Sequence, residues 1–194
     1  MVQKPKFDSQ KHHRRSIRLQ EYDYSQAGAY YVTIVTYHRD CLFGEIINEE
    51  MILNVFGKIA DECWRAIPDH FPNVELGAYV IMPNHVHGII VITNGETIIG
   101  ATPRRGTIYR APTENIEQFG KPVKESLPTI IRTYKAAVTR IIGREHNATS
   151  IWQRNYYEHI IRDEKDLQNK TDYINANLSL WDDDENNPQN ISRM

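Results

Sequence analysis

The segment MPNHVHGIIV, residues 82–91, constrains the fold of this 194-residue chain more than any other stretch. Its apolar, β-branched run predicts a strand, and Pro83-Asn84 just before it predicts a tight turn. Because residues i and i+2 lie on one face of a strand, His85 and His87 project together while Val86 projects toward the core. The segment therefore predicts a strand that presents two imidazoles from a rigid backbone.

Two imidazoles on one face make up two-thirds of a facial metal site. The alternative is a pair of hydrogen-bonded histidines on a half-buried strand, because a two-residue motif often occurs without any ligand. A second cluster far along the chain favours the metal site.

That cluster lies on a predicted helix that begins after Asp163, a residue typical of helix N-caps. Leu167, Ile174 and Leu178 follow at helical spacing. Tyr173 and Asn177 are four residues apart, so their side chains leave the same helical face. A phenol and a carboxamide in that arrangement suit a nucleophile and a third metal ligand. The alternative is an aromatic residue at the edge of a packed helix beside a solvent-facing asparagine.

The remaining periodicities predict a single α+β domain. Strands are expected at 29–37, 74–82, 85–93 and 156–162, and helices at 52–67, at 128–141 and after 163. The resulting order, β-α-β-β-α-β-α, is typical of an antiparallel sheet with helices packed on one face.

The composition is typical of a soluble globular protein, and a cytoplasmic location is expected from the two lone cysteines. The hydrophobic fraction is 40% and the charged fraction 25%. No apolar run approaches the ~20 residues of a membrane helix, so no membrane partner is expected. Cys41 and Cys63 lack metal-ligand spacing and are expected to be reduced.

The net charge is −2, but the basic and the acidic residues are concentrated in different parts of the chain. A basic N-terminal segment, 1–20, precedes a catalytic domain, 21–181, and an acidic C-terminal tail, 182–194. Within the domain, residues 94–126 contain glycine, proline and basic residues and predict a mobile basic insertion; a disordered spacer is the alternative. Because the basic residues are separated from the acidic ones, a basic face remains available to bind phosphate backbones.

Four sequence blocks together resemble the REP-associated tyrosine transposases, which are single-tyrosine HUH nucleases. The blocks are MPNHVHG (82–88), LPTIIRTYK (127–135), IWQRNYYEHIIRDE (151–164) and YINAN (173–177). They occur in the order of that family, and the resemblance as a whole covers about residues 14–180. One departure is Leu178, where family members often carry proline, and this residue predicts that the last helix continues further.

The resemblance implies a ferredoxin-like HUH fold and a transposase-like DNA endonuclease and strand transferase. Tyr173 would attack single-stranded or hairpin DNA, of the repetitive extragenic palindrome kind, and form a covalent 5′-phosphotyrosine. His85, His87 and Asn177 would hold a divalent ion, Mg²⁺ or Mn²⁺. A monomer is favoured, and a homodimer that shares its sites is the alternative.

Basic and aromatic residues in these blocks are candidates for phosphate contact and base stacking; the alternative is that Trp152 and one tyrosine belong to the core. The predicted DNA-binding set is Arg14, Arg15, Arg18, Arg132, Lys135, Trp152, Arg154, Tyr157, His159 and Arg162. Two other functions remain open from the sequence. One is a metal-dependent phosphohydrolase without a covalent intermediate, and the other is a sequence-specific DNA-binding protein with vestigial activity.

Overall fold

The structure is a computed structural model, and it describes residues 22–94 and 123–191. Within these ranges the strands are β1 (Gly28–Val35), β2 (Gly44–Ile47), β3 (Glu50–Leu53), β4 (Val74–Ile81), β5 (His85–Ile92) and β6 (Tyr157–Ile161). The helices are α1 (Val55–Arg65), α2 (Ile67–His70), α3 (Leu127–His146), α4 (Glu164–Ala176) and α5 (Pro188–Ile191).

Four strands form one antiparallel sheet in the order β4-β5-β1-β6. The strand that carries the two histidines, β5, lies inside this sheet with a hydrogen-bonded neighbour on each side. Its register with β1 sets Val35 opposite His85 and Thr33 opposite His87. Since both of its edges are paired, β5 is a fixed support for the side chains that it presents.

The two faces of the sheet are covered by different helices. Alternate residues of β5, Val86 and Ile90 among them, pack with α1 and α3 in the main core. The other face carries a smaller cluster around Ile89, Ile161 and Ile174, which α4 covers. The predicted α+β antiparallel fold is confirmed, but the expectation of helices on one face omits α4. The apolar stripe of α4 is short, and the sequence alone does not indicate which face of the sheet this helix covers.

A small hairpin, β2–β3, lies where the sequence predicts the start of a helix at residue 52. Ile52 belongs to β3, and α1 begins only at Val55 because the Asn54 side chain caps it by accepting a hydrogen bond from the Gly57 N–H. The apolar spacing continues across this boundary, so periodicity alone does not locate the cap.

The last helix begins as predicted, with the Asp163 side chain accepting from the Asp166 N–H. It ends at Ala176, with Asn177 as C-cap, so Leu178 does not extend it as expected. The chain then turns and forms a C-terminal segment, residues 181–191, which lies against the end of the sheet. Asp184, Asn186 and Asn187 of this segment are buried. The prediction of an acidic tail over 182–194 accounts for the charge of this stretch but not for its packing.

Two predicted regions lie outside the described residues. They are the basic segment 1–20, with Arg14, Arg15 and Arg18, and most of the insertion 94–126. Among the described residues, no helix is both long enough and apolar enough to cross a bilayer.

Candidate active site

The two histidines of β5 form the centre of the site. His85 is completely buried and His87 is 2% exposed, and their ring centroids are 4.4 Å apart. Burial lowers the pKa of both imidazoles to about 3; the Asn177 side chain opposes this shift at His85, and the neighbouring His85 ring adds to it at His87. Both rings are therefore neutral near pH 7, which is the protonation state that a metal-ligating histidine needs.

Asn84 fixes the orientation of His85. Its Nδ2 donates to the carbonyl oxygens of Arg39 and Asn186, at 2.9 and 2.7 Å, so its Oδ1 faces His85 Nδ1 at 2.9 Å. A carbonyl oxygen only accepts hydrogen bonds, so Nδ1 of His85 carries the proton and Nε2 carries a lone pair.

His87 is held from β1. The Tyr31 hydroxyl and the Thr33 Oγ1 lie 2.7 and 2.9 Å from His87 Nδ1, as expected from the register that sets Thr33 beside it. The Nε2 atoms of both histidines are buried and have no hydrogen-bond partner among the described residues. Each ring is thus anchored through one nitrogen while the other is left available.

The last helix brings Tyr173 and Asn177 to the same place. The centroid of the Tyr173 ring lies 5.4 Å from that of the His87 ring. Asn177 is fully buried, and neither of its amide atoms has a hydrogen-bond partner within residues 22–94 and 123–191. Burial raises the pKa of Tyr173, the carboxylates of Asp184 and Glu185 raise it further, and Asn177 lowers it. The structure therefore brings together all four residues for which the sequence predicts catalysis or metal binding.

Two further residues of this site were missed by the sequence analysis. Ligand atoms of His85, His87 and Asp184 lie within 4.8 Å of one another, and all three side chains are buried. Lys170 places its ammonium 4.9 Å from the centre of the Tyr31 ring. The spacing of Lys170, three residues before Tyr173, is a signal that could have identified it. No local pattern distinguishes Asp184 from its acidic neighbours.

The donor chemistry fits a divalent ion. Two unpartnered imidazole nitrogens and an unpartnered amide face a carboxylate in a dry site, where polar atoms without partners are costly. Mixed nitrogen and oxygen ligands suit Mn²⁺ well and Mg²⁺ acceptably.

Several predicted DNA-binding residues line a cavity of about 720 Å³ between α3 and residues 150–156. Arg132 and Arg154 are exposed there, beside Arg140. Lys135 instead directs its ammonium at the carbonyl oxygens of residues 153–155, at 2.6 to 3.4 Å, and burial lowers its pKa to about 8. Its cation thus ties this loop to α3 rather than standing free for phosphate.

Trp152 is 9% exposed and packs against Phe43 and Tyr134 in the core. Its burial favours the core alternative over the predicted stacking on DNA, although Trp152 also lines the cavity beside α3. The sequence cannot separate a core tryptophan from a stacking one, because both have the same apolar neighbours.

The other predicted contacts lie toward α4. Tyr157 is 55% exposed, and its position in β6 pairs with Thr33, in one row with His87. His159 Nε2 lies 2.8 Å from Asp166 Oδ2 on α4, and Arg162 is exposed. Tyr157 and Arg162 are thus open to a ligand, whereas His159 already has a carboxylate partner.

Comparisons with known proteins give the relatives of this chain. No family model matches it. An uncharacterized protein of Haemophilus influenzae is 41% identical over 182 residues, covering 93% of this chain and 96% of that protein, so the two belong to one family. A second protein of that organism, provisionally named a REP-associated tyrosine transposase, is 26% identical over 156 residues, covering 80% of this chain and 72% of that protein.

A solved structure has the same fold. It is a REP-associated tyrosine transposase bound to a REP hairpin, with a TM-score of 0.52 and 20% identity, over 86% of this chain and 71% of that chain. The predicted fold is therefore confirmed, and the similarity to REP-associated tyrosine transposases that the sequence blocks predict is found again in the second relative.

The network around Asn84 predicts the protonation of His85. In the metal-free protein, long-range ¹H–¹⁵N spectra should show His85 as the Nδ1–H tautomer, because Asn84 Oδ1 accepts only from that nitrogen. The Asn84→Ala variant should lose this preference. A wild-type spectrum with the proton on Nε2 would contradict the assignment.

Proposed function

Since this chain is a relative of the REP-associated tyrosine transposases, we propose that it is a metal-dependent endonuclease and strand transferase for single-stranded DNA. It recognises a DNA hairpin and cuts the strand through a covalent 5′-phosphotyrosine intermediate. The observation that carries this proposal is that Tyr173 lies beside the histidine pair. The centroid of its ring is 5.4 Å from the centroid of the His87 ring.

Tyr173 and the histidine pair belong to the same chain, which supports a monomer that acts in cis. Tyr173 and Asn177 on α4 reach the same sheet face as His85 and His87 without a second copy. A homodimer is not needed to complete the site.

Within the proposed site, His85, His87 and Asn177 hold Mg²⁺ or Mn²⁺ through atoms that have no other partner among the described residues. When bound, the ion would polarise the scissile phosphodiester and offset the negative charge that develops on its oxygens. Tyr31, Thr33 and Asn84 hold the two rings from behind, so the ligand nitrogens need no reorganisation.

Tyr173 supplies the nucleophile. Its phenolic oxygen forms a bond to phosphorus while the bond from phosphorus to the 3′ oxygen breaks, the phenol losing its proton and the 3′ oxygen gaining one. Burial and nearby carboxylates raise the pKa of Tyr173, so the free phenolate is disfavoured until positive charge arrives. Lys170, whose ammonium lies over the adjacent Tyr31 ring, adds a fixed positive charge that acts on His87.

The cavity beside α3 is the proposed site for the DNA backbone. Residues 150–156 run past the end of β1, where the Gln153 N–H donates to the Val35 carbonyl, and Val35 pairs with His85. The cavity and the histidines therefore lie at one end of the sheet, on opposite faces. A strand held by Arg132 and Arg154 can continue around this end to Tyr173.

The Tyr173→Phe variant should form no covalent adduct with a labelled hairpin oligonucleotide in Mn²⁺, while its hairpin affinity stays within about twofold. The substitution deletes the nucleophilic oxygen but keeps the ring and every basic residue. A denaturing gel measures the adduct, and a filter-binding assay measures the affinity. Tyr157→Phe is the matched control, because Tyr157 is exposed on the same face, and it should retain the adduct.

The same gel separates the alternative functions. Cleavage of the DNA without any adduct in the wild type would indicate a phosphohydrolase. A gel shift with neither adduct nor cleavage would indicate a DNA-binding protein without activity. An adduct that persists in the Tyr173→Phe variant would show that another residue is the nucleophile.

Arg132→Ala and Arg154→Ala should each weaken hairpin binding and flatten the log–log dependence of affinity on salt. Loss of one phosphate contact reduces this slope by about 0.7 for single strands and about 0.9 for duplex. Arg65→Ala is the control, because Arg65 pairs with Asp61 on α1, away from the cavity. If both cavity variants keep the wild-type slope, the DNA does not bind there.

A further inference from the structure

The carboxylate of Asp184 is buried opposite His85, although it comes from a different part of the chain. Its Oδ2 lies 3.9 Å from His85 Nε2, with the two side chains 2% and 0% exposed. Carboxylates are almost never fully buried unless something compensates their charge.

No proton lies between these two atoms. Asn84 accepts the Nδ1 proton of His85, so the neutral ring turns a lone pair toward the carboxylate. A separation of 3.9 Å is also too long for a hydrogen bond. Two electron-rich atoms thus face each other in a dry site, an arrangement that is unfavourable unless a cation lies between them.

The surroundings of Asp184 leave one oxygen for such a cation. Its Oδ1 accepts a hydrogen bond from the Asn186 N–H at 2.6 Å, whereas Oδ2 points to the histidines. The C-terminal segment is held in this position by Arg39, which donates to the Glu185 carbonyl and to Asn186 Oδ1, both at 3.0 Å. Asn84 also donates to the Asn186 carbonyl, so one side chain orients both His85 and the loop that carries Asp184.

The distances suit a shared ion. Ligand atoms of His85, His87 and Asp184 all lie within 4.8 Å of one another. Two ligand atoms of one Mg²⁺ ion are separated by about 3.0 Å when adjacent and about 4.2 Å when opposite, so the 3.9 Å between His85 Nε2 and Asp184 Oδ2 lies within the range that one ion spans.

We infer that Asp184 is a ligand of the divalent ion, and that the C-terminal segment is therefore part of the active site. This inference rests on the proposed metal site and extends it to a fourth residue. The other three ligands are neutral, so Asp184 supplies the only ligand charge among the described residues and should hold the ion before DNA arrives.

The test measures binding of Mn²⁺ alone to the full chain by titration calorimetry. Asp184→Asn should weaken Mn²⁺ binding by about tenfold or more, because an isosteric amide removes the charge while keeping the shape. Asp183→Asn is the matched control: Asp183 is the exposed preceding residue, and its variant should bind Mn²⁺ within about twofold of the wild type.

The outcomes separate the two proposals. Failure of the wild type to bind Mn²⁺ more tightly than the His85→Ala/His87→Ala variant would overturn the metal site itself. Wild-type binding that is equal in Asp184→Asn would overturn only the role of Asp184.

Anomalous diffraction from wild-type crystals grown with MnCl₂ avoids variants altogether. A manganese peak bonded to Asp184 Oδ2 supports the inference. A peak on the histidines with that oxygen more than about 3.5 Å away overturns it.

Discussion

The pairing of β5 with β1 is the constraint on which the whole site depends. It places β5 inside the sheet, buries His85 and His87, and sets Thr33 and Tyr31 against the second imidazole. Each ring then has one nitrogen bonded to the protein and one without a partner in the part of the chain that the structure describes. A site on a central strand holds its geometry better than one on a loop, so the ligands are ordered before any ion or DNA arrives.

Holding these ligands in place before an ion binds has an energetic cost. Buried nitrogen and oxygen atoms without partners each destabilise the folded chain by about 1–3 kcal/mol. Here the Nε2 atoms of His85 and His87 on β5 and both amide atoms of Asn177, which caps α4, have no hydrogen-bond partner among the described residues. Elsewhere in the described fold the large buried side chains are mostly apolar and packed against α1 and α3. Other unpartnered atoms, such as Trp64 Nε1 and Asn73 Oδ1, lie elsewhere, but the four of the site lie where an ion would offset their cost, as is typical of a functional site.

Periodicity and local spacing were enough to predict the parts of the site that lie within one element. The strand from His85, the Asp163 cap and the shared face of Tyr173 and Asn177 follow from residues two to four positions apart. Asp184 could not be found in this way, because its place depends on how the chain folds back after α4. The choice between core and stacking for Trp152 could not be made from the sequence for a related reason: burial is a property of the tertiary fold, and a tryptophan beside basic residues has no local sign of it.

The central claim is that Tyr173 forms the covalent bond to DNA, and peptide mapping of the adduct tests it most directly. Trypsin should release residues 171–193, which contain Tyr173 as their single tyrosine, apart from residues 155–162, which contain Tyr156 and Tyr157. After reaction with a hairpin oligonucleotide and Mn²⁺, nuclease and trypsin digestion, mass spectrometry should find the 5′-linked nucleotide on peptide 171–193. A nucleotide on peptide 155–162, with peptide 171–193 unmodified, would contradict the account.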